Sequence, residues 1–326
     1  MMAEIISPRR KPESIVFEGG GVLGAAYIGA VEELEELGVL NNVNNYVGTS
    51  IGSLFATILS CGKDSKYLFD KLKNIDFNKL TDYGSIFRGI YNFIFHKGAC
   101  DGVELENWLT EILAELISDK DKLRKDSSKL SKDSSKLSKD IKKTVSAFTF
   151  SDHFKRFGKK LYVTVYNISA DGAMSLNVDD TPDMSLLLGL KMALSLPGAF
   201  MPVLYNGEYY IDGGIVDNMS MRVVGDTNTI GLLLQTSMEV STPAPITGLL
   251  SYGSAIINAV LNTQQKIHIE EVYWKNIIKI NCGHIKSTDF NITEGEISRL
   301  IDGGREGVRG YYISSTAQSA ISPSSN

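Results

Sequence analysis

Cysteine is scarce in this chain: Cys61, Cys100 and Cys282 are the only three in 326 residues, and no two form a CxxC pair. Zinc-type spacing is thereby excluded, and an odd number of distant thiols fits a reducing compartment better than a disulfide framework. Long apolar runs are missing too. A membrane-spanning helix needs about 20 predominantly apolar residues in a row, and no stretch approaches that. At the N-terminus Arg9, Arg10 and Lys11 are followed by Pro12, Glu13 and Ser14, where a signal peptide requires an apolar segment. A large excess of either charge is absent as well. The formal net charge is −5, so nothing overall points to a nucleic-acid partner. What remains is an ordinary globular balance, 43% hydrophobic and 22% charged, sufficient for the core of one α/β enzyme domain. The expected location is the cytoplasm or the periphery of a membrane.

After a polar start, Ser14-Ile15-Val16-Phe17 has the composition of a short buried strand and runs directly into Gly19-Gly20-Gly21. A helical pattern follows, with Ala26, Ala30, Leu34 and Leu37 on one stripe and Glu32, Glu33, Glu35 and Glu36 largely off it. Gly38 is placed to close that helix at C′. Tyr46-Val47-Gly48 predicts a second strand ending in Thr49-Ser50, and Leu54 to Leu59 continues as an apolar helix. Strand, loop, helix, strand, turn, helix opens a parallel α/β sheet. Further strands are predicted at Leu161–Tyr166, Thr229–Leu234 and Ile277–Ile280. The expected fold is a three-layer α/β/α domain over residues 14–314, with residues 1–13 and 315–326 as polar tails.

Two stretches break the rhythm. Tyr83 to Phe95 is rich in aromatics, with Ile86, Ile90 and Ile94 at helical spacing. A core helix and a membrane-facing cap both fit that pattern. The second stretch, about 118–146, contains a direct repeat, Lys125-Asp126-Ser127-Ser128-Lys129-Leu130-Ser131 followed by Lys132-Asp133-Ser134-Ser135-Lys136-Leu137-Ser138. Residues 119–143 carry ten Lys/Arg against five Asp, but only one apolar residue per heptad, where a coiled-coil seam needs two. The segment is expected to be an exposed helix or a disordered insertion whose charges are solvated.

Three glycine-rich motifs carry the chemistry. Gly48-Thr49-Ser50-Ile51-Gly52 is a G-x-S-x-G at a predicted strand-to-helix turn, the arrangement a nucleophile elbow needs. Ser50 there points out of the sheet at a helix amino end, which favours developing negative charge. Gly19-Gly20-Gly21-Val22-Leu23-Gly24 lets backbone N–H groups converge on a small anionic target, as an oxyanion hole requires. The same letters satisfy G-x-G-x-x-G, but a dinucleotide fold expects an acid at the end of the next strand. That strand ends in Thr49-Ser50-Ile51-Gly52. The third motif, Ile211-Asp212-Gly213-Gly214, taken alone fits a common turn.

Together, and extended through Leu196-Pro197-Gly198-Ala199-Phe200-Met201-Pro202-Val203 and Tyr210 to Asn218, the motifs resemble the patatin-like phospholipases. The likeness covers about residues 14–235. It implies a lipid acyl hydrolase of the phospholipase A or lysophospholipase type that acts through an acyl-enzyme, with Ser50 as nucleophile and Asp212 as base. It also implies an oxyanion hole from Gly19, Gly20 and Gly21, elbow glycines Gly48 and Gly52, and base-turn glycines Gly213 and Gly214. No metal or cofactor is implied, the partner is membrane phospholipid or another lipid ester, and no protein activator is identified. Many members carry Arg or Lys where this chain has Leu23, which leaves neutral glyceride open as a substrate. Chain order also permits a Ser50…Asp212…His268 or His284 triad, although His96, His153, His268 and His284 sit beside none of the motifs. An oxidoreductase and an inactive membrane-binding module are the rivals from other classes.

Overall fold

The computed structural model describes residues 11–72, 100–118, 134–225, 228–236, 259–260, 271–287, 289 and 292–320. The aromatic stretch Tyr83–Phe95, His96, His268 and the first part of the basic insertion lie outside them. Eight strands form one sheet: β1 (Ser14–Phe17), β2 (Asn45–Thr49), β3 (Lys160–Asn167), β4 (Gly172–Leu176), β5 (Val203–Tyr205), β6 (Glu208–Asp212), β7 (Thr229–Gln235) and β8 (Ile277–Asn281). Their order is β5-β6-β3-β2-β1-β7-β8, with β4 also paired to β3. β1, β2, β3, β7 and β8 run parallel, whereas β4, β5 and β6 pair antiparallel.

The helices are α1 (Ala26–Glu36), α2 (Ile51–Ser60), α3 (Ser65–Leu72), α4 (Val103–Ile117), α5 (Ser134–Ala147), α6 (Phe150–Phe157), α7 (Leu186–Ala193) and α8 (Glu294–Ala320). Alternation along β1 shows why the sheet is covered on both faces. Ile15 and Phe17 enter the large core with residues of α1, α2, α7 and α8, while Val16 joins Val47, Leu233 and Ile277 under Met219 and Met221. At the top of the large core Phe17, Tyr27 and Phe55 stack, with centroids 5.2 Å apart for Phe17–Tyr27 and Tyr27–Phe55. These rings lock β1, α1 and α2, the elements that carry the glycine loop and the serine, and each such pair contributes about 1 kcal/mol beyond its buried area.

The predicted strands and the first two helices stand where the sequence puts them, and Gly38 follows α1 at φ 65°. Two features differ. Strands β4, β5 and β6 form antiparallel hairpins that the parallel rhythm did not suggest. Residues 134–147 of the basic segment take the first of the two forms expected for it, a helix, α5, with Lys139, Lys142 and Lys143 exposed and with buried Val145 and half-buried Ile141 against the core. The C-terminal helix continues to Ala320, past Ser315, where the polar tail was expected to begin. Its glycines explain how it docks. A Cβ on Gly304 would lie 1.9 Å from the Ala26 carbonyl, and one on Gly29 would lie 1.9 Å from that of Ile301. Helices α1 and α8 therefore meet backbone to backbone. Among the described residues no helix is long and apolar enough to cross a membrane.

Candidate functional site

Register brings the motifs together. Residues 163 and 164 of β3 pair with Gly48 and Thr49 of β2 on one side and with Leu176 and Ser175 of β4 on the other. Residues 165–167 pair with β4 and also with Asp212, Ile211 and Tyr210 of β6. A strand has two edges, so β2 and β6 share one edge of β3 and meet head to head. Thr49 sits opposite Thr164 and Asp212 opposite Val165, and Ser50 is the next residue after Thr49. The strand ends thus bring Ser50 and Asp212 to one level. Phe17 pairs with Gly48, so the glycine loop leaves the sheet at the same edge.

Ser50 takes φ 52° and ψ −130°, outside the regions open to ordinary side chains, at a cost of about 1–3 kcal/mol. Close backbone contact enforces the turn. The Ser53 N–H donates to the Ser50 carbonyl at 2.9 Å, and the Ser53 hydroxyl donates to the Gly48 carbonyl at 2.8 Å. A Cβ on Gly48 would stand 2.3 Å from the Gly52 carbonyl oxygen, and one on Gly52 would stand 2.5 Å from that of Phe17. Neither elbow position accepts a side chain.

Asp212 is 1% exposed. Its Oδ1 accepts the Gly214 N–H at 2.8 Å, its own N–H donates to the Ser195 carbonyl at 3.0 Å, and among the described residues Oδ2 has no partner of full hydrogen-bond geometry. Burial raises its pKa from 3.8 to about 6, against the opposing pull of the Ser50 hydroxyl and the Gly214 N–H. The strand register and this influence both put the Ser50 hydroxyl close to the Asp212 carboxyl. Gly213 lets the turn pass β3, because a Cβ there would lie 2.7 Å from the Thr164 side chain. Asp217 shapes this turn: its N–H donates to the Gly213 carbonyl at 2.9 Å and its carbonyl accepts the Thr49 hydroxyl at 3.2 Å.

The three loop glycines differ in what their amides do. The Gly19 N–H, one of the three amides expected at the oxyanion hole, donates to the Asn218 carbonyl at 3.1 Å. The Val22 N–H likewise donates to the Ser287 carbonyl at 3.1 Å. Among the described residues, no acceptor meets the Gly20 or Gly21 N–H. Gly21 has φ 53°, and Gly19 lies against Ser50, where an added Cβ would be 3.0 Å from the serine Cβ. Among the described residues the loop thus carries two amides without an acceptor, at Gly20 and Gly21, next in sequence to the glycine that touches Ser50.

Leu23 is 1% exposed and belongs to the core, so position 23 supplies no cation to the loop. His284 is exposed, and among the described residues no histidine contributes to the environment of Asp212. His153 is buried and bonded to the Ser60 hydroxyl at 2.9 Å, and burial lowers its pKa to about 4. Sequence reasoning passed over Glu18 and gave Asn218 no role. A charged residue directly after an apolar strand was the available signal for the first. Both are buried, and they bond to each other beneath the glycine loop at 3.0 Å.

Comparison with known proteins follows the same geometry. A model of the family described as patatin-like phospholipase matches residues 15–224. A probable lipid hydrolase, 463L, of Invertebrate iridescent virus 6 is 26% identical over 217 residues, which are 65% of this chain and 62% of that relative. The match thus spans less than two thirds of that protein. An uncharacterised protein of Acanthamoeba polyphaga mimivirus is 24% identical over 94% of this chain and 97% of its own length. Among solved structures, VipD from Legionella pneumophila superposes with a TM-score of 0.60 at 20% identity, covering 94% of this chain and 68% of VipD, a likeness of fold.

Proposed function

The chain belongs to the patatin-like phospholipase family and is a lipid acyl hydrolase, and from that premise we propose that it cleaves phospholipid acyl esters through a Ser50–Asp212 dyad. The observation that supports this reading best is Ser50, held at φ 52° at the amino end of α2 and brought by the strand register to the level of the buried Asp212 carboxyl.

In the first step Asp212 takes the hydroxyl proton as Ser50 attacks the ester carbonyl carbon. Negative charge then develops on the carbonyl oxygen, and the Gly20 and Gly21 N–H groups donate to it, with the amino end of α2 adding its dipole. Collapse expels the alcohol, a lysolipid or its equivalent, which takes the proton from Asp212. Water activated by the same carboxylate attacks the acyl-enzyme and releases the fatty acid. A carboxylate at the ordinary 3.8 is a poor base for a serine, and burial that raises Asp212 to about 6 narrows the mismatch. The substrate is met at a bilayer surface, and the core position of Leu23 favours tolerance of head group, neutral glycerides included.

A fluorophosphonate probe tests the nucleophile. Wild type is expected to be labelled and Ser50→Ala not, and equal labelling of both would overturn the assignment. Asp212→Asn is expected to lower turnover of a soluble ester by about 10²–10⁴, whereas His268→Ala and His284→Ala retain most activity. Because the base acts ionised, kcat of wild type should fall as pH drops through about 6. Fatty acids released from mixed liposomes then report substrate class, with strong selectivity for one anionic head group counting against head-group tolerance.

A further inference from the structure

Glu18 stands between β1 and the glycine loop, 1% exposed, and no step above uses it. A carboxylate taken from water is costly unless donors meet its oxygens. Here both are met: Oε1 accepts from Asn218 Nδ2 at 3.0 Å, and Oε2 accepts from the Leu234 N–H at 2.7 Å. The Glu18 main-chain carbonyl accepts the Tyr27 hydroxyl at 2.7 Å, so the residue is fixed at both ends.

Asn218 in turn joins two loops. Its Nδ2 also donates to the Gly19 carbonyl at 2.9 Å, and its carbonyl accepts the Gly19 N–H at 3.1 Å. Two acceptors, the Glu18 carboxylate and the Gly19 carbonyl, therefore fix which end of the amide is the nitrogen. The amide oxygen is left facing the glycines: a Cβ on Gly19 would lie 2.4 Å from it and one on Gly214 2.7 Å. One side chain thus touches both the glycine loop and the turn that carries Asp212. The charge of Glu18 has the wrong sign to help an oxyanion, so any benefit it brings to the reaction comes through orientation.

We propose that Glu18 and Asn218 are a positioning pair for the hydrolysis, holding the unclaimed Gly20 and Gly21 amides in register with Ser50 and Asp212. The proposal rests on the Ser50–Asp212 reading. It predicts defects in kcat rather than KM, because the amides matter most once the oxyanion has formed.

The test uses the full chain, p-nitrophenyl butyrate as substrate and a fluorophosphonate to count functional sites. Glu18→Gln is expected to lower kcat per labelled site about 10-fold, and Asn218→Asp, which sets two carboxylates face to face, about 100-fold, against the 10²–10³ lost when an oxyanion donor is removed outright. KM should stay within about 3-fold of wild type in both. A merely structural pair would lower the labelled fraction and the melting temperature but leave kcat per labelled site intact, and that result overturns the proposal. If Asn218→Asp does not fold, the isosteric Glu18→Gln decides alone through its kcat per labelled site. Labelling of Ser50→Ala would instead sink the dyad reading, which keeps the two failures apart.

Discussion

The carboxyl edge of the sheet and its amino edge are built from the same strands on opposite terms. At the amino edge the strand starts are knitted together. Asn44 and Asn45 donate their N–H groups to the Glu13 carbonyl at 2.8 and 3.0 Å, Lys160 N–H donates to the Asn44 carbonyl at 2.8 Å, and the Lys159 ammonium reaches the Val43 carbonyl at 2.6 Å. Turns there take glycine for its backbone freedom and leave space around it. At the carboxyl edge a serine is held at positive φ, a buried carboxyl keeps one oxygen unclaimed, and glycines are pressed against neighbouring backbone. Each of those features costs stability, and all of them converge on one point. The contrast singles out the carboxyl edge independently of any motif: strain and unmet polar groups persist where the surrounding structure holds them in place.

The strongest way to break this contrast is to add one methyl group at the crowded edge. A Cβ on Gly52 would lie 2.5 Å from the Phe17 carbonyl oxygen and 2.8 Å from that of Glu18, both backbone atoms at the root of the glycine loop. No rotamer relieves either contact. Gly52→Ala is therefore expected to cost about 4 kcal/mol or more, at the severe end for a single substitution, and to abolish fluorophosphonate labelling in whatever folds. Chemical denaturation measures the first and labelling the second. A stable, labelled variant would show that the elbow is looser than its packing requires.

A second test uses the cost of the base. Burial holds the Asp212 carboxyl at about 6 rather than 3.8, so between those values the folded state binds a proton that the unfolded state has released. Stability of the wild type should accordingly fall as pH rises through that window, by roughly 3 kcal/mol in total. Asp212→Asn keeps an acceptor for the Gly214 N–H but has no charge to desolvate. It is expected to be more stable than wild type above about pH 6, with the gap closing below about pH 4. Melting curves across that range check it, and an equal gap at every pH would remove the desolvation argument. A variant that gains stability while losing turnover is the signature of a residue kept for chemistry.

How far the sequence reveals all this depends on the range of the interaction. Ile15, Val16 and Phe17 declare a buried strand locally, and Ser50 announces its turn through glycines two residues either side. The β5–β6 hairpin was legible too, in Asn206-Gly207, which take φ 51° and 84° as a two-residue hairpin turn demands, but the expectation of parallel strands masked it. The Glu18–Asn218 bond spans 200 residues, and the Ser287 carbonyl that claims the Val22 N–H lies further still. No local pattern encodes such partners. That is why the acceptors of the Gly19 and Val22 amides emerge only from the fold.

The smallest expected effect belongs to the open edge. Gly158 ends α6 just before β3 begins, at φ 66°, with its N–H donating to the Phe154 carbonyl at 2.8 Å and nothing within 4 Å of an added Cβ. Space is not the constraint there, and conformation is the whole cost. Gly158→Ala should therefore destabilise by about 1 kcal/mol, the usual charge for a left-handed alanine, while Gly158→Asn, whose short polar side chain tolerates that region, should lose less. Neither should change kcat on a soluble ester or the rate of fluorophosphonate labelling, since β3 keeps its register through Lys160–Asn167 and the proposed Ser50–Asp212 dyad sits at its far end. Parallel denaturation and labelling assays of both variants measure this. A loss of activity larger than the loss of folded protein would mean that the amino edge communicates with the site after all, and the division between the two edges would have to be redrawn.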